Sequence, residues 1–159
     1  MTAILTIGYQ GRSPEDLFAD LRAAGAGVLI DVRAVPWSRR AVFTKAALRT
    51  ATTAAELRYV HLAGLGNPAK TDPTGGPGMA NHLASGAGRA ALDAAAALLA
   101  ETGRPIALMC LERDPMHCHR RFIAAALAER TKLPVHHIVA PNPPSARSNP
   151  AQGDLFGPR

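Results

Sequence analysis

The residues with the most versatile chemistry in this sequence lie in one stretch from Cys110 to Arg120. Within eleven positions the chain places two thiols, a carboxylate, an imidazole and a guanidinium, namely Cys110, Glu112, Cys118, His119 and Arg120. A thiolate is a nucleophile and a metal ligand, an imidazole carries protons near neutral pH, and a guanidinium binds anions. The segment therefore predicts a functional site, with Cys118, His119 and Glu112 as its candidate catalytic residues.

Three kinds of chemistry remain open for this segment. Cys118 could be a nucleophile, with His119 or His117 as its proton carrier. Cys110 and Cys118 could instead form a redox pair. Cys110, Cys118 and His119 could also bind zinc, the one cofactor that the sequence suggests, although the spacing is not that of a zinc finger. For Cys110 taken alone, a buried core thiol is the more ordinary interpretation.

A strand and a helix are expected to position these residues. The apolar run 106–109 predicts a central buried strand. Asp114 followed by Pro115 predicts the start of the next helix. On this interpretation Cys118 lies in the first turn of that helix, where the positive helix end and the basic neighbours favour its thiolate form.

The rest of the chain alternates between strand and helix patterns, which predicts an α/β fold. Over residues 1–139 we expect a single three-layer domain with a mostly parallel sheet of about five strands and helices on both faces. The predicted strands are 3–7, 28–30, 58–61, 106–109 and 135–139, with helices in the intervals that follow the first four. Ser13 is the expected N-cap of the first helix, and Gly25 its end. The glycine-rich segment 62–88 is predicted to be a long functional or mobile loop.

Polar residues follow several of the predicted strands. Because the carboxyl ends of parallel strands share one edge of a sheet, we expect these side chains to meet the cysteine segment there. Asp31 is a fourth candidate catalytic residue, although a structural ion pair explains it equally well. The candidate substrate-binding or phosphate-binding residues are Gly8, Tyr9, Arg12, Arg33, Ser38, Arg39, Arg40 and Arg120.

Composition narrows the class of protein and its partners. The chain has 159 residues, a net charge of +6 and a pI of about 10.1, which favours anionic partners such as DNA or a nucleotide. Its two cysteines are too few for a disulfide framework. No apolar stretch reaches the length of a membrane span, and the first residues do not resemble a signal peptide. We therefore expect a cytoplasmic protein without a membrane partner.

The last part of the chain, residues 140–159, has a different composition. It is rich in proline, serine and asparagine, which predicts a flexible, disordered tail. Residues 152–156 resemble the pentapeptide by which bacterial proteins bind the replication sliding clamp. In that peptide Leu155 and Phe156 would fill an apolar pocket, while Gln152 and Asp154 complete the polar part of the pattern. A bacterial sliding clamp is therefore an expected partner.

Five motifs, in this order along the chain, resemble one known family. They are Thr6–Ser13, Asp31–Arg33, Pro36–Arg40 with Phe43, Arg58–Gly66, and Leu108–Glu112 with Cys118–Arg120. From about Ile4 to Ile138 the chain resembles the domain-of-unknown-function family 488, which usually has histidine where this chain has Tyr9. The resemblance implies a compact α/β domain with a site built from these motifs, and it implies no particular activity.

The leading hypothesis is a DNA-associated accessory protein that the sliding clamp recruits. It would be an enzyme acting on a nucleotide, a base or damaged DNA through the Cys/His/Arg site. One alternative is a non-catalytic module that binds nucleotide, nucleic acid or zinc. The other is a cysteine-dependent enzyme of small-molecule thiol or sulfur transfer.

Overall fold

Five parallel strands form one sheet in the computed structural model, which describes residues 2–69 and 76–140. The strands are β1 (Ile4–Gly8), β2 (Val28–Asp31), β3 (Arg58–His61), β4 (Ile106–Cys110) and β5 (Val135–Ile138). Their spatial order is β3-β2-β4-β1-β5, and every pair is parallel. The central strand β4 is buried along its whole length, as its uninterrupted apolar sequence predicts.

Helices cover both faces of this sheet. They are α1 (Pro14–Ala23), α2 (Lys45–Ala54), α3 (Gly76–Ala84), α4 (Gly86–Thr102) and α5 (Arg120–Thr131). Apolar residues of α1 and α2 pack with one set of strand residues, and those of α3, α4 and α5 pack with the opposite set. The predicted three-layer α/β domain with five parallel strands is therefore confirmed.

The first helix begins and ends as its sequence predicts. The Ser13 hydroxyl accepts a hydrogen bond from the backbone N–H of Asp16 at 3.1 Å, and Pro14 occupies the first helical position. Gly25 then takes a positive φ of +77°, a conformation that glycine adopts without steric cost. Local capping chemistry thus fixes the helix that follows β1.

The prediction of a long loop over residues 62–88 is wrong. Residues 70–75 lie outside the described part, but the segment contains a short 3-10 helix (Ala63–Leu65) and α3, and α4 begins at Gly86. The prediction took the glycines as a sign of a loop, but Gly88 is required by the close packing of α3 against α4. A Cβ there would lie 2.1 Å from the carbonyl oxygen of His82 and 2.7 Å from Leu83 Cα.

Within the described ranges, no single helix has both the length and the apolar composition to cross a membrane. The pair α3 and α4 reaches that length and composition only when taken together, and the two helices meet at a bend of 74°.

Replacing Gly88 with alanine tests the close approach of α3 and α4. We expect Gly88→Ala to lower the free energy of unfolding by about 1–3 kcal/mol, because backbone atoms must move to admit the methyl group. Gly86→Ala is the matched control, since its Cβ would meet nothing within 4 Å. That control should be neutral or stabilising by up to about 1 kcal/mol. Equal effects of the two changes in urea denaturation would contradict this packing.

Candidate functional site

The loop after β4 is fastened to the loop after β1. Gly8 and Cys110 are register partners at the ends of the two strands. Beyond them, the backbone N–H of Tyr9 donates to the Cys110 carbonyl at 3.1 Å, and that of Gln10 donates to the Leu111 carbonyl at 2.9 Å. The parallel pairing thus extends past the strands and fixes the backbone that carries Cys110.

Gly8 has a structural reason to be glycine. A Cβ at this position would lie 1.8 Å from the carbonyl oxygen of Glu112. The backbone of residues 112–113 therefore passes directly over the end of β1. The close approach gives Gly8 a structural role, and its substrate-binding role stays a prediction.

The two cysteines meet at this edge of the sheet. Cys110 and Cys118 are joined in a disulfide, with their Cα atoms 7.7 Å apart. Both residues are buried, at 2 % and 0 % exposure. Cys110 is therefore a core residue, as predicted, and its sulfur is bonded to that of Cys118.

Cys118 does not lie in the first turn of a helix, and that prediction is wrong. Asp114 caps a short 3-10 helix (Pro115–His117), which Cys118 follows in an extended conformation, and α5 begins only at Arg120. The extended backbone lets the Cys118 sulfur accept the backbone N–H of Arg120 at 3.5 Å. The Cys118 sulfur thus accepts a hydrogen bond from an N–H group at the start of α5, where backbone N–H groups have no partner within the helix.

One ring nitrogen of His119 is hydrogen-bonded to the backbone, and the other points to the sulfur of Cys118. Nε2 lies 2.9 Å from the carbonyl oxygen of Val32, so Nε2 carries the proton in this contact. Nδ1 lies 3.8 Å from the Cys118 sulfur. Burial lowers the pKa of His119, and the charge of Arg120 lowers it further. A neutral imidazole therefore presents a lone pair to Cys118.

Arg120 is fully buried and binds the surrounding loop. One of its terminal nitrogens donates to the Glu112 carbonyl at 2.6 Å and to the Cys110 sulfur at 3.4 Å, and the other donates to the Arg113 carbonyl at 3.2 Å. Burial lowers the pKa of Arg120 to about 10, which leaves it charged at neutral pH. A buried cation of this kind would stabilise the thiolate that Cys110 forms when the disulfide is reduced.

Glu112 completes this cluster. Its Oε1 lies 3.6 Å from the Cys110 sulfur. Burial raises the pKa of Glu112, while the charge of Arg120 opposes the shift. A carboxyl group so placed can exchange a proton with a thiol or with a molecule in the adjoining space.

A cavity of about 410 Å³ opens onto these groups. We call it the cysteine cavity. Its lining residues are Cys110, Leu111, Glu112 and His119, together with Arg33, Ala34, Asn67 and Ala69. His117 lies elsewhere, because its side chain is 73 % exposed and contacts Asp114 at 3.3 Å. The structure therefore brings His119 to the thiols and leaves His117 outside.

Asp31 takes part in a buried ion pair. Its two oxygens accept from Arg33 at 2.8 and 2.7 Å, and Tyr59 donates to one of them at 2.5 Å. Burial opposes the charge on Arg33, but the hydrogen bonds and charge of Asp31 raise the pKa of Arg33 above its usual value. Asp31 is itself fully buried. These contacts favour the structural interpretation of Asp31 over the catalytic one.

Three of the arginines expected to hold phosphate are buried within the protein. Arg12 donates to the Gly8 carbonyl and pairs with Asp20, and Arg33 also donates to the Phe43 and Trp37 carbonyls. Together with Arg120, these side chains bind groups of the protein itself. Among the predicted arginines, the exposed ones are Arg39 and Arg40.

Arg39 and Arg40 line a second cavity, of about 520 Å³. We call it the arginine cavity, and its lining also includes Tyr9, Trp37, Ser38 and Leu111. Tyr9 is nearly buried and stacks on Phe43 at a centroid distance of 4.5 Å. Leu111 lines both cavities, so the two spaces are neighbours that share one exposed side chain.

The sequence did not identify Trp37, Leu111 or Asn67 as site residues. Trp37 is 63 % exposed and Leu111 is 43 % exposed. A signal for Trp37 was present, since it is the only tryptophan of the chain and directly precedes Ser38, Arg39 and Arg40. The predicted clamp-binding residues Gln152, Asp154, Leu155 and Phe156 lie outside the described residues.

Fold and site together define an α/β domain with a disulfide and an imidazole at the carboxyl edge of a parallel sheet. The family model described as "Domain of unknown function DUF488" matches residues 13–127. This match spans well over half of the chain, so the protein belongs to that family. It is shorter than the resemblance over Ile4–Ile138, and the motif around Gly8 lies mostly before it. No curated protein and no solved structure matches the chain.

Removing the charge of Asp31 tests its structural role. We expect Asp31→Asn to lower the free energy of unfolding by about 3–5 kcal/mol, because Arg33 stays buried without its counter-charge. The matched control is Asp93→Asn, since Asp93 pairs with Arg130 and is 68 % exposed. The control should cost at most about 1 kcal/mol. A stable Asp31→Asn protein in chemical denaturation would return Asp31 to the candidate catalytic residues.

Proposed function

We propose that this protein is a DNA-associated enzyme that acts on a nucleotide, a base or damaged DNA. The observation that carries the proposal is the pair of neighbouring cavities that share Leu111. One offers an aromatic side chain and two exposed arginines, and the other offers a cysteine sulfur, an imidazole and a carboxyl group. Binding groups and reactive groups are therefore adjacent but separate.

The arginine cavity has the chemistry of a nucleotide-binding surface. An exposed indole such as that of Trp37 provides a face on which a base can stack. Arg39 and Arg40 provide positive charge for phosphate beside it. Arg40 is partly fixed, since its guanidinium lies 4.6 Å from the centre of the Phe43 ring. The net charge of +6 favours the same kind of ligand.

The cysteine cavity would receive the group that reacts. A nucleotide held by its phosphate at Arg39 could place the adjoining base or sugar beyond Leu111, next to Cys110 and His119. Enzymes that act on bases bind the target base in a closed pocket outside the stack. In this arrangement Glu112 and His119 are the proton carriers. Cys110 lines the cavity and Cys118 is fully buried behind it, so in the reduced protein Cys110 is the sulfur that the reacting group would meet, and Cys118 is its redox partner or a metal ligand.

The disulfide favours a second candidate function, small-molecule thiol or sulfur transfer. In thiol–disulfide exchange the reduced pair Cys110 and Cys118 would give two electrons to a disulfide substrate, which leaves as two thiols while the protein disulfide forms. Under this alternative the reduced protein releases two thiols from each substrate disulfide, whereas Cys118→Ser releases one and stays as a mixed disulfide at Cys110. Binding of nucleotides would be absent.

Fluorescence of Trp37 provides a direct test of the first proposal. The intrinsic tryptophan signal comes from this residue alone. We expect short single-stranded oligodeoxynucleotides to quench it, because a base stacks on the indole, and a dinucleotide to bind more tightly than a mononucleotide. Unchanged fluorescence, together with no retention in a binding assay, would contradict the proposal.

A charge variant locates the phosphate contact. Arg39→Gln should weaken oligonucleotide binding and reduce the slope of log affinity against log salt concentration by about 0.7, the contribution of one phosphate contact in a single strand. Arg49→Gln is the matched control, because Arg49 is exposed on α2, away from both cavities. Equal salt slopes for the two variants would remove Arg39 from the site.

Recruitment by a bacterial sliding clamp is a further part of this proposal, and it rests on the sequence of residues 152–156. A short peptide at the end of a Pro-rich segment can bind a pocket while the domain engages another ligand. This would bring the enzyme to replicated DNA.

A single substitution tests this recruitment. Phe156→Ala should weaken binding to a bacterial sliding clamp at least about tenfold, since a buried aromatic anchor typically contributes 2 kcal/mol or more. Ser148→Ala lies in the same segment outside the pentapeptide and should leave the affinity unchanged. Surface plasmon resonance with the full chain measures both. Equal affinities would show that the pentapeptide plays no part in binding.

A further inference from the structure

We infer that the reduced protein holds one zinc-type metal ion between Cys110, Cys118 and His119, with an open coordination position that faces the cysteine cavity. The inference goes beyond nucleotide binding and does not depend on it. It rests on the placement of the three donor atoms, on the groups that orient them, and on the cavity beside them.

The three donor atoms already lie close together. The two sulfurs and a ring nitrogen of His119 are all within 4.8 Å of one another, and all three residues are buried. Zinc bonds of about 2.3 Å to sulfur and 2.0–2.1 Å to nitrogen place neighbouring donors of a tetrahedral site roughly 3.5–3.8 Å apart. The separation of 3.8 Å between His119 Nδ1 and the Cys118 sulfur agrees with this requirement. The two sulfurs are bonded to each other in this structure, so they move apart on reduction to admit the ion.

His119 is oriented as a metal ligand. Its Nε2–H donates to the Val32 carbonyl, which fixes the tautomer and leaves the Nδ1 lone pair pointing at the thiols. Histidine ligands in metalloproteins almost always have such an outer partner for the second nitrogen. The backbone after β2 therefore orients the imidazole towards the position between the sulfurs.

Each sulfur also has an N–H donor. The Arg120 side chain donates to Cys110 at 3.4 Å, and the Arg120 backbone donates to Cys118 at 3.5 Å. Such donors stabilise thiolates, the form in which cysteine binds metals. When the ion binds, the two thiols release two protons to solvent.

The backbone spacing of the two cysteines fits a shared ion. Their Cα atoms are 7.7 Å apart, which exceeds the span of roughly 4.4–6.8 Å usual for a disulfide. Two thiolates on one ion lie farther apart than two bonded sulfurs. The frame formed by β4 and the 3-10 helix can thus hold the reduced pair without bringing Cys110 and Cys118 nearer.

Three protein ligands leave a fourth position of a tetrahedral ion open, which is the pattern of catalytic rather than structural zinc. Cys110 and His119 both line the cysteine cavity, so this position faces the space proposed for the reacting group. Glu112 lines the same cavity, with Oε1 3.6 Å from the Cys110 sulfur, and its carboxyl group would be available as a proton acceptor for a ligand in that position.

Metal analysis of the full chain, purified in the presence of a metal-free phosphine reductant, tests the inference. We expect one zinc per chain by atomic emission. Cys118→Ser should lose the metal, and His119→Ala should weaken zinc affinity by more than the roughly 10- to 100-fold typical of an outer partner. His117→Ala is the matched control, since this exposed histidine is only two residues away and should leave the metal content unchanged.

Cobalt substitution tests two further points, namely whether the cysteines are ligands of the metal and whether one coordination position is open. We expect thiolate-to-cobalt charge-transfer absorption in the wild-type protein, and d–d bands that shift when azide is added to the open position. Bands that do not respond to azide would overturn the open position. Two free thiols that bind neither zinc nor cobalt in a folded protein would overturn the metal site, and nucleotide quenching of Trp37 would be unaffected by that result.

Discussion

The buried guanidinium of Arg120 is the interaction on which the site depends. The guanidinium donates to the carbonyl groups of Glu112 and Arg113 and to the sulfur of Cys110. The backbone N–H of Arg120 donates to the sulfur of Cys118. No apolar side chain could make the three guanidinium contacts. One charged residue in the core therefore holds the backbone of residues 112–113 and the sulfur of Cys110.

The buried arginines explain how this fold arranges the carboxyl edge of its sheet. Loops that follow parallel strands leave main-chain carbonyls without strand partners, and buried carbonyls need hydrogen bonds. A guanidinium presents five donors in a fixed fork, so one arginine can satisfy several carbonyls. Arg12, Arg33 and Arg120 do this for the carbonyls of Gly8, Trp37, Phe43, Glu112 and Arg113. The basic composition thus serves the interior as well as the surface.

The sequence predicted the strands, the layers and the first helix because their signals are local. An apolar run such as 106–109 predicts a buried strand, and Ser13 with Pro14 predicts a helix start, whatever the rest of the chain does. The sequence also grouped Cys110, Cys118 and His119, which lie within ten positions of one another after β4, and the structure places their side chains together. Local signals failed where two elements approach each other. Gly88 is a packing glycine between α3 and α4, and nothing in its neighbourhood in the sequence distinguishes it from a turn glycine.

The same limit applies within the site. The sequence predicted that Arg12, Arg33 and Arg120 bind phosphate. Their burial could not be foreseen, because it depends on carbonyl groups in loops that are distant along the chain. It placed Cys118 in a helix, because the capping pattern of Asp114 and Pro115 is shared by short 3-10 helices and long helices. Leu111 was missed because its position between two cavities follows only from tertiary structure.

The proposed function requires that the two cavities form one continuous site across Leu111. A crystal structure of the reduced protein with a bound deoxydinucleotide would show whether they do. We expect one base against Trp37, the phosphate at Arg39, and the second nucleoside in the cysteine cavity beside Cys110 and His119. A dinucleotide bound elsewhere on the domain, with both cavities free of it, would contradict the claim.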